Sequence, residues 1–120
     1  MRCPCGTGRP LDDCCGPVLD GRPAPTAETL MRSRYTAFVR GDAAYLLASW
    51  HPSTRPRRLR PEPGSVWTGL EIVDRAGGSM FATEGVVEFR AHRVDGVLHE
   101  RSRFVREDGR WFYVDGDVTP

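Results

Sequence analysis

Four cysteines, Cys3, Cys5, Cys14 and Cys15, fall within the first fifteen positions, and none follows in the rest of the 120 residues. Their spacing is C-x-C, eight residues, then C-C. Thiols at this density can pair with one another, hold a metal or carry redox chemistry. Four cysteines allow three disulfide connectivities. A Cys14–Cys15 bridge is strained and a Cys3–Cys5 bridge nearly as tight, while the longer pairings close only a short loop. Two thiolate pairs brought together by a turn make an S4 site, a donor set that suits tetrahedral zinc. Gly6, Gly8 and Pro10 supply the turn, and Gly16 and Pro17 are expected to end the unit. Four sulfur ligands leave no coordination position for water, so a zinc bound here, one per chain, would be structural. The rival reading is a redox thiol pair at Cys14 and Cys15. Spacing alone leaves both open, because paired zinc ligands usually stand about two to four residues apart.

A second set of polar residues sits where apolar ones belong. Arg34 lies in the apolar arc of a helical segment, between Leu30 and Phe38. A charge there needs a partner, since an unpaired buried charge costs several kcal/mol. Leu98, Glu100, Ser102 and Phe104 share one face of a strand, and the two apolar members mark that face as inward. Glu100 is therefore expected to pair with Arg34, as a structural ion pair or as a base or ligand anchor. His51, in Ser-Trp-His-Pro, stands at a helix end and is a candidate proton shuttle. Tyr35, Trp50, Trp67, Trp111 and Tyr113 can line a pocket with apolar walls and polar tips, or fill a core. The candidate pocket is thus Arg34, Tyr35, Trp50, His51, Glu100, Ser102, Trp111 and Tyr113. His92 and His99 are out of phase with the inward positions and read as surface.

The elements that must position these residues follow from local signals. Residues 17–25 carry three prolines and a glycine and read as a loop. Thr26 is an N-cap with Glu28 in the first turn, so Ala27 to Arg40 is a helix that Gly41 stops. Ala27, Leu30, Met31, Tyr35 and Phe38 form its apolar face. Asp42 caps a second helix, from Ala43 to about Trp50, and Pro52 ends it. Residues 53–64, rich in Arg and Pro, read as a solvated connector rather than a nucleic-acid contact. From Trp67 the period becomes two, and four strands are expected: Trp67–Arg75, Thr83–Val94, Leu98–Arg106 and Arg110–Asp115. Asp95-Gly96 and Asp108-Gly109 are hairpin signals. Helices followed by an antiparallel meander make an α+β fold. Trp111 and Tyr113 share one face of the last strand, Phe112 and Val114 the other. Both faces therefore need cover, and a homodimer through the sheet would supply it for one of them.

Composition narrows the classes. A net charge of +1 gives no overall field towards nucleic acid or membrane. All 17 basic residues are arginine, so no lysine nucleophile exists. No stretch approaches the roughly 18 apolar residues of a membrane span. Arg2 and Cys3 follow Met1 with no apolar leader, so a cytoplasmic location is expected.

The run CPCGTGRPLDDCCG resembles the SEC-C motif, a short zinc-binding tail of bacterial proteins, through Cys3, Cys5, Gly6, Gly8, Cys14, Cys15 and Gly16. That resemblance implies zinc on the four cysteines and contact with a protein or the ribosome. Thr7 replaces the usual serine, and Arg-Pro-Leu-Asp-Asp replaces a stretch usually bearing lysines and a tyrosine. The stretch from Ala24 to Pro52, with RSRYTAF and SWHP, and the later HERSRFVREDGRWFYVDGD resemble the YchJ-like (UPF0225) proteins. The resemblance implies a SEC-C-like motif at 1–17 and an NTF2-like cone at 26–120, with helices in the mouth of a curved sheet. The expected function is a zinc-binding adaptor whose cone is structural or holds a small ligand. The alternatives are a small isomerase- or hydrolase-type enzyme using Glu100, His51 and Arg34, and a thiol redox protein. No catalytic residue is assigned. A cone open by a few hundred cubic ångströms would favour a ligand or substrate, and a filled one the adaptor.

Overall fold

Thr26 accepts a hydrogen bond from the Thr29 amide at 3.1 Å and starts helix α2, Ala27–Arg40. Gly41, at φ +70°, ends it in the left-handed conformation that glycine adopts without strain. Asp42 then accepts from the Tyr45 amide at 3.0 Å and caps α3, Ala43–Ala48, which stops short of Trp50. Before these come a 3-10 turn, Leu11–Asp13, and α1, Cys15–Leu19. The expected loop at 17–25 is therefore helical at its start. Pro17 does not end the unit, because it sits in a first turn where an amide has no helical partner anyway.

The computed structural model describes residues 1–60 and 66–119. Pro61 and Pro63 of the Arg/Pro connector and Pro120 at the end of the cone lie outside the described residues. The strands are β1 Trp67–Gly77, β2 Glu84–Arg93, β3 Gly96–Glu107 and β4 Arg110–Thr119, paired antiparallel in that order. Asp108 and Gly109 both take positive φ, as a two-residue hairpin turn requires. At the other hairpin Arg93 pairs with Gly96, so Val94 and Asp95 make the turn, one residue earlier than Asp95-Gly96 implies.

Register puts Val87, Phe89, Ala91, Leu98, Ser102 and Phe104 on the inner face, against α2. The shift between Arg103 and Phe104 inserts an extra residue in β4, so Tyr113 faces Phe104 while Gly116 faces Ser102. The free edge of β4 is taken by the chain after α3: the His51 amide donates to the Tyr113 carbonyl at 2.7 Å, and the Tyr113 amide to the Ser49 carbonyl at 2.9 Å. Helix α2 is buried well beyond its apolar arc. Ser33, Thr36 and Ala37 are wholly buried, because the cysteine segment, α1 and α3 pack on the sides away from the sheet. Cys3, Cys5, Cys15 and Val18 belong to the same core cluster as Leu30, Phe89 and Phe104. The outer face of the sheet is polar, with Arg101 bridging Asp74 and Glu88, and Arg103 bridging Asp115 and Asp117.

Candidate metal centre and cone cavity

The N-terminal segment folds back on itself. The Cys3 amide donates to the Arg9 carbonyl at 2.8 Å, and Gly6 and Gly8 take the positive φ angles of the turn. The four Sγ atoms then lie within 4.8 Å of one another, and Cys5 Sγ stands 3.5 Å from Cys14 Sγ. A tetrahedron with sulfur bonds near 2.3 Å places its sulfurs about 3.8 Å apart, so this group fits a metal ion. All four cysteines are free thiols. The hydrogen bond between Cys5 and Cys15 holds the Cys5 thiol well below the usual range and pushes that of Cys15 up, while burial pushes Cys14 up. The Thr7 hydroxyl lies 3.1 Å from Cys14 Sγ and the Arg9 guanidinium 3.9 Å from it, both placed to offset thiolate charge.

Helix α2 holds this cluster directly. Arg32 donates through Nη1 to the Cys5 carbonyl at 2.6 Å and through Nε to Glu28 at 2.8 Å. Glu28 also pairs with Arg75 of β1. Thr36 Oγ1 lies 3.7 Å from Cys3 Sγ.

On the other side of α2 the helices and the sheet enclose a cavity of about 350 Å³. Arg34, Tyr35, Trp50, Glu100, Ser102 and Tyr113 line it, with Met31, Phe38, Trp67, Phe89 and Leu98 as apolar wall. Arg34 is 4% exposed. Its Nη1 donates to the Leu46 carbonyl at 2.8 Å and to Ser49 Oγ at 2.6 Å. Its guanidinium lies 4.5 Å from the Tyr113 ring centroid and 5.3 Å from that of Trp50. Burial pushes it down to about 10, with Tyr113, Tyr45 and Glu100 acting the other way, so it stays charged at neutral pH. Glu100 Oε2 accepts from Ser102 Oγ at 2.6 Å and from the Tyr113 hydroxyl at 3.2 Å. Burial, then the Glu100 carboxylate, pushes the Tyr113 phenol up, which keeps it a donor. Gly116 faces this carboxylate so closely that a Cβ there would overlap it.

Residues 26–116 match the family profile described as "YchJ, middle NTF2-like domain". A UPF0225 protein of Streptomyces coelicolor is 60% identical over 116 residues, covering 96% of this chain and 94% of that one. The chain belongs to the UPF0225, YchJ-like family. A UPF0225 protein of Chromobacterium violaceum is 54% identical over 126 residues, covering 98% and 93%. The solution structure of a SEC-C motif containing protein from Rhodopseudomonas palustris superposes with a TM-score of 0.83 at 34% identity over the whole of both chains. A crystal structure of a SEC-C motif containing protein from Psychrobacter arcticus gives 0.77 at 30%, covering 98% and 82%. The α+β, NTF2-like fold with an N-terminal cysteine cluster is thereby shown.

Within that fold, six of the eight expected pocket residues meet at the cavity and two do not. His51 lies outside it, bonded to Glu107 at 2.9 Å and Ser53 at 2.7 Å, with its ring edge-on to Phe112. The chain after α3 runs along the β4 edge and carries His51 past the cavity. Trp111 is buried two pairs from Tyr113 along β4 and lines a separate groove with Tyr45 and Arg110. The expected Arg34–Glu100 ion pair does not form among the described residues: Arg34 Nη1 is bonded to Leu46 and Ser49, and Glu100 Oε2 to Ser102 and Tyr113. His51 of the same chain packs edge-on against Phe112, ring centroids 5.8 Å apart. His92 and His99 face outward, paired with Glu71 and Glu88. Arg55, Arg57 and Arg58 are exposed, as a solvated connector should be, although Leu59 and Arg60 reach the cavity. Sequence reasoning missed Arg32, Thr7 and Ser49. Arg32 is four residues from Glu28, a spacing that reads as a surface pair and hides its bond to Cys5. Among the described residues no helix is long and apolar enough to cross a membrane.

Proposed function

We propose that this protein binds a small molecule in its cone and that one structural zinc on Cys3, Cys5, Cys14 and Cys15 stiffens the helix forming one wall. The observation that carries this reading is the cavity itself: about 350 Å³, apolar walls and a few convergent polar groups, which is the anatomy of a ligand site. An adaptor with a purely structural cone would be filled. The enzymatic alternative loses its proton shuttle, since His51 is elsewhere. The donor set supports zinc: four thiols satisfy a tetrahedral ion and suit a soft or borderline metal. Such an ion would order the turn between the cysteine pairs and, through the Arg32 bond to Cys5, the first half of α2.

Two measurements test this. Native protein purified without chelator should contain one zinc per chain, with thiols unreactive until a chelator is added. Reactive thiols without metal would favour the redox reading instead. For the cavity, the indole N–H signals of the three tryptophans report on position, because Trp50 and Trp67 line it and Trp111 does not. A fragment library should move the first two and leave the third. If no fragment does so, the cone is not a ligand site.

A further inference from the structure

We infer that the cone is specific for a small apolar carboxylic acid that also carries a hydroxyl or ammonium donor, its carboxylate on Arg34 and its donor on Glu100. This rests on the cavity being a ligand site.

Charge is the first argument. Among the described residues that line the cavity Arg34 is the buried cation, and it shares the cavity with the Glu100 carboxylate. Arg34 keeps its charge although it is 4% exposed, and no carboxylate lies within ion-pair distance of it among the described residues. Burying a cation without a counter-ion is costly, and an anionic ligand supplies one. Geometry is the second argument. The Nη1 corner of Arg34 is anchored on Leu46 and Ser49 at the end of α3. The Nε–Nη2 edge makes no hydrogen bond among the described residues. That edge is the two-pronged donor that matches a carboxylate, and the Trp50 and Tyr113 rings fix its plane. The third argument is Glu100. Its Oε2 is occupied by Ser102 and Tyr113, whereas Oε1 accepts no hydrogen bond among the described residues. A free acceptor in the same cavity asks for a donor. It also repels a dianion, which favours a carboxylate over a phosphate. The walls of Phe38, Phe89 and Leu98 take the apolar body between the two ends.

The test uses full-length metal-loaded protein and matched probes. Phenyl, indolyl, cyclohexyl and linear six-carbon bodies are each offered as a plain acid, an amino acid, an amine and an alcohol, with inorganic phosphate alongside. Binding is read from the Trp50 and Trp67 indole signals, with Trp111 as internal control. Acids and amino acids should bind at least about tenfold tighter than the alcohol of the same body, the worth of one charged hydrogen bond. Glu100→Gln should weaken the amino acids and leave the plain acids unchanged. Arg34→Met should abolish the preference for acids while alcohol binding persists. Should that variant fail to fold, the wild-type ranking and Glu100→Gln decide the matter. Alcohols or amines binding as tightly as acids would overturn the inference and leave the cavity a ligand site. Phosphate binding more tightly than the acids would overturn the carboxylate assignment. Silence of Trp50 and Trp67 towards every probe would remove both readings.

Discussion

Arg34 is a full charge buried beside rings, a hydroxyl and a carbonyl, with no carboxylate in contact among the described residues. Such an arrangement does little for stability, because desolvation of the guanidinium offsets most of what the hydrogen bonds and ring contacts supply. Replacing it by an apolar side chain of similar length should therefore be tolerated, while truncating it should not. Arg34→Met is expected to change the unfolding free energy by less than about 1.5 kcal/mol. Arg34→Ala should cost about 3 kcal/mol by leaving a void. Urea unfolding of the two variants checks this, and equal losses would mean that the charge itself holds the fold. A residue kept charged in that position at no structural gain is what a ligand site predicts.

Helix α2 separates the cysteine cluster from the cavity, and one ion-pair network ties its first turn to its surroundings. Glu28 receives Arg32, which also holds the Cys5 carbonyl, and Arg75 from β1. Partial burial raises Glu28, but the two arginines outweigh it and the net shift is downward from 4.5. A depressed carboxylate stabilises the fold above its unfolded value and loses that contribution as pH falls through the folded one. Glu28→Gln should thus cost about 0.5–1 kcal/mol at pH 7, and its difference from wild type should shrink as pH drops below 4.5. Urea midpoints of both proteins at pH 7 and pH 3.5 measure it. A difference that persists at low pH would place the effect in packing and not in charge.

Across the whole molecule the cysteine cluster is continuous with the main core and is not an appended bead. Cys3, Cys5 and Cys15 are buried with Leu30 and Phe104 in one cluster. Removing a metal ion bound by the cluster should consequently be felt beyond residue 17. Chelation is expected to lower the melting temperature by about 10 °C or more. It should also speed amide exchange along the Arg32 to Thr36 stretch, with central β2 and β3 amides staying protected. Exchange confined to the first fifteen residues would show that the cluster folds independently of the cone.

What the chain announces by itself is short-range. Thr26 and Gly41 bound α2 at its observed ends, Asp108-Gly109 builds its hairpin, alternation reveals four strands, and the density of thiols marks a group that could hold a metal ion. Caps, turns and side-chain period act over a few residues, so they are readable in order along the sequence. Only the tertiary structure decided who touches whom across the fold. The β4 bulge brings Tyr113 and Gly116 both onto the Glu100 side, and nothing in Trp-Phe-Tyr-Val-Asp-Gly announces an extra residue. Arg34 took Ser49 and Leu46 instead of Glu100, and Arg32 took a carbonyl 27 positions away. His51 left the pocket because the chain after α3 pairs with a strand edge. Such choices depend on register and on which of several adequate partners lies nearest once helix and sheet have closed. That competition among long-range contacts of similar energy is settled only when they all form together.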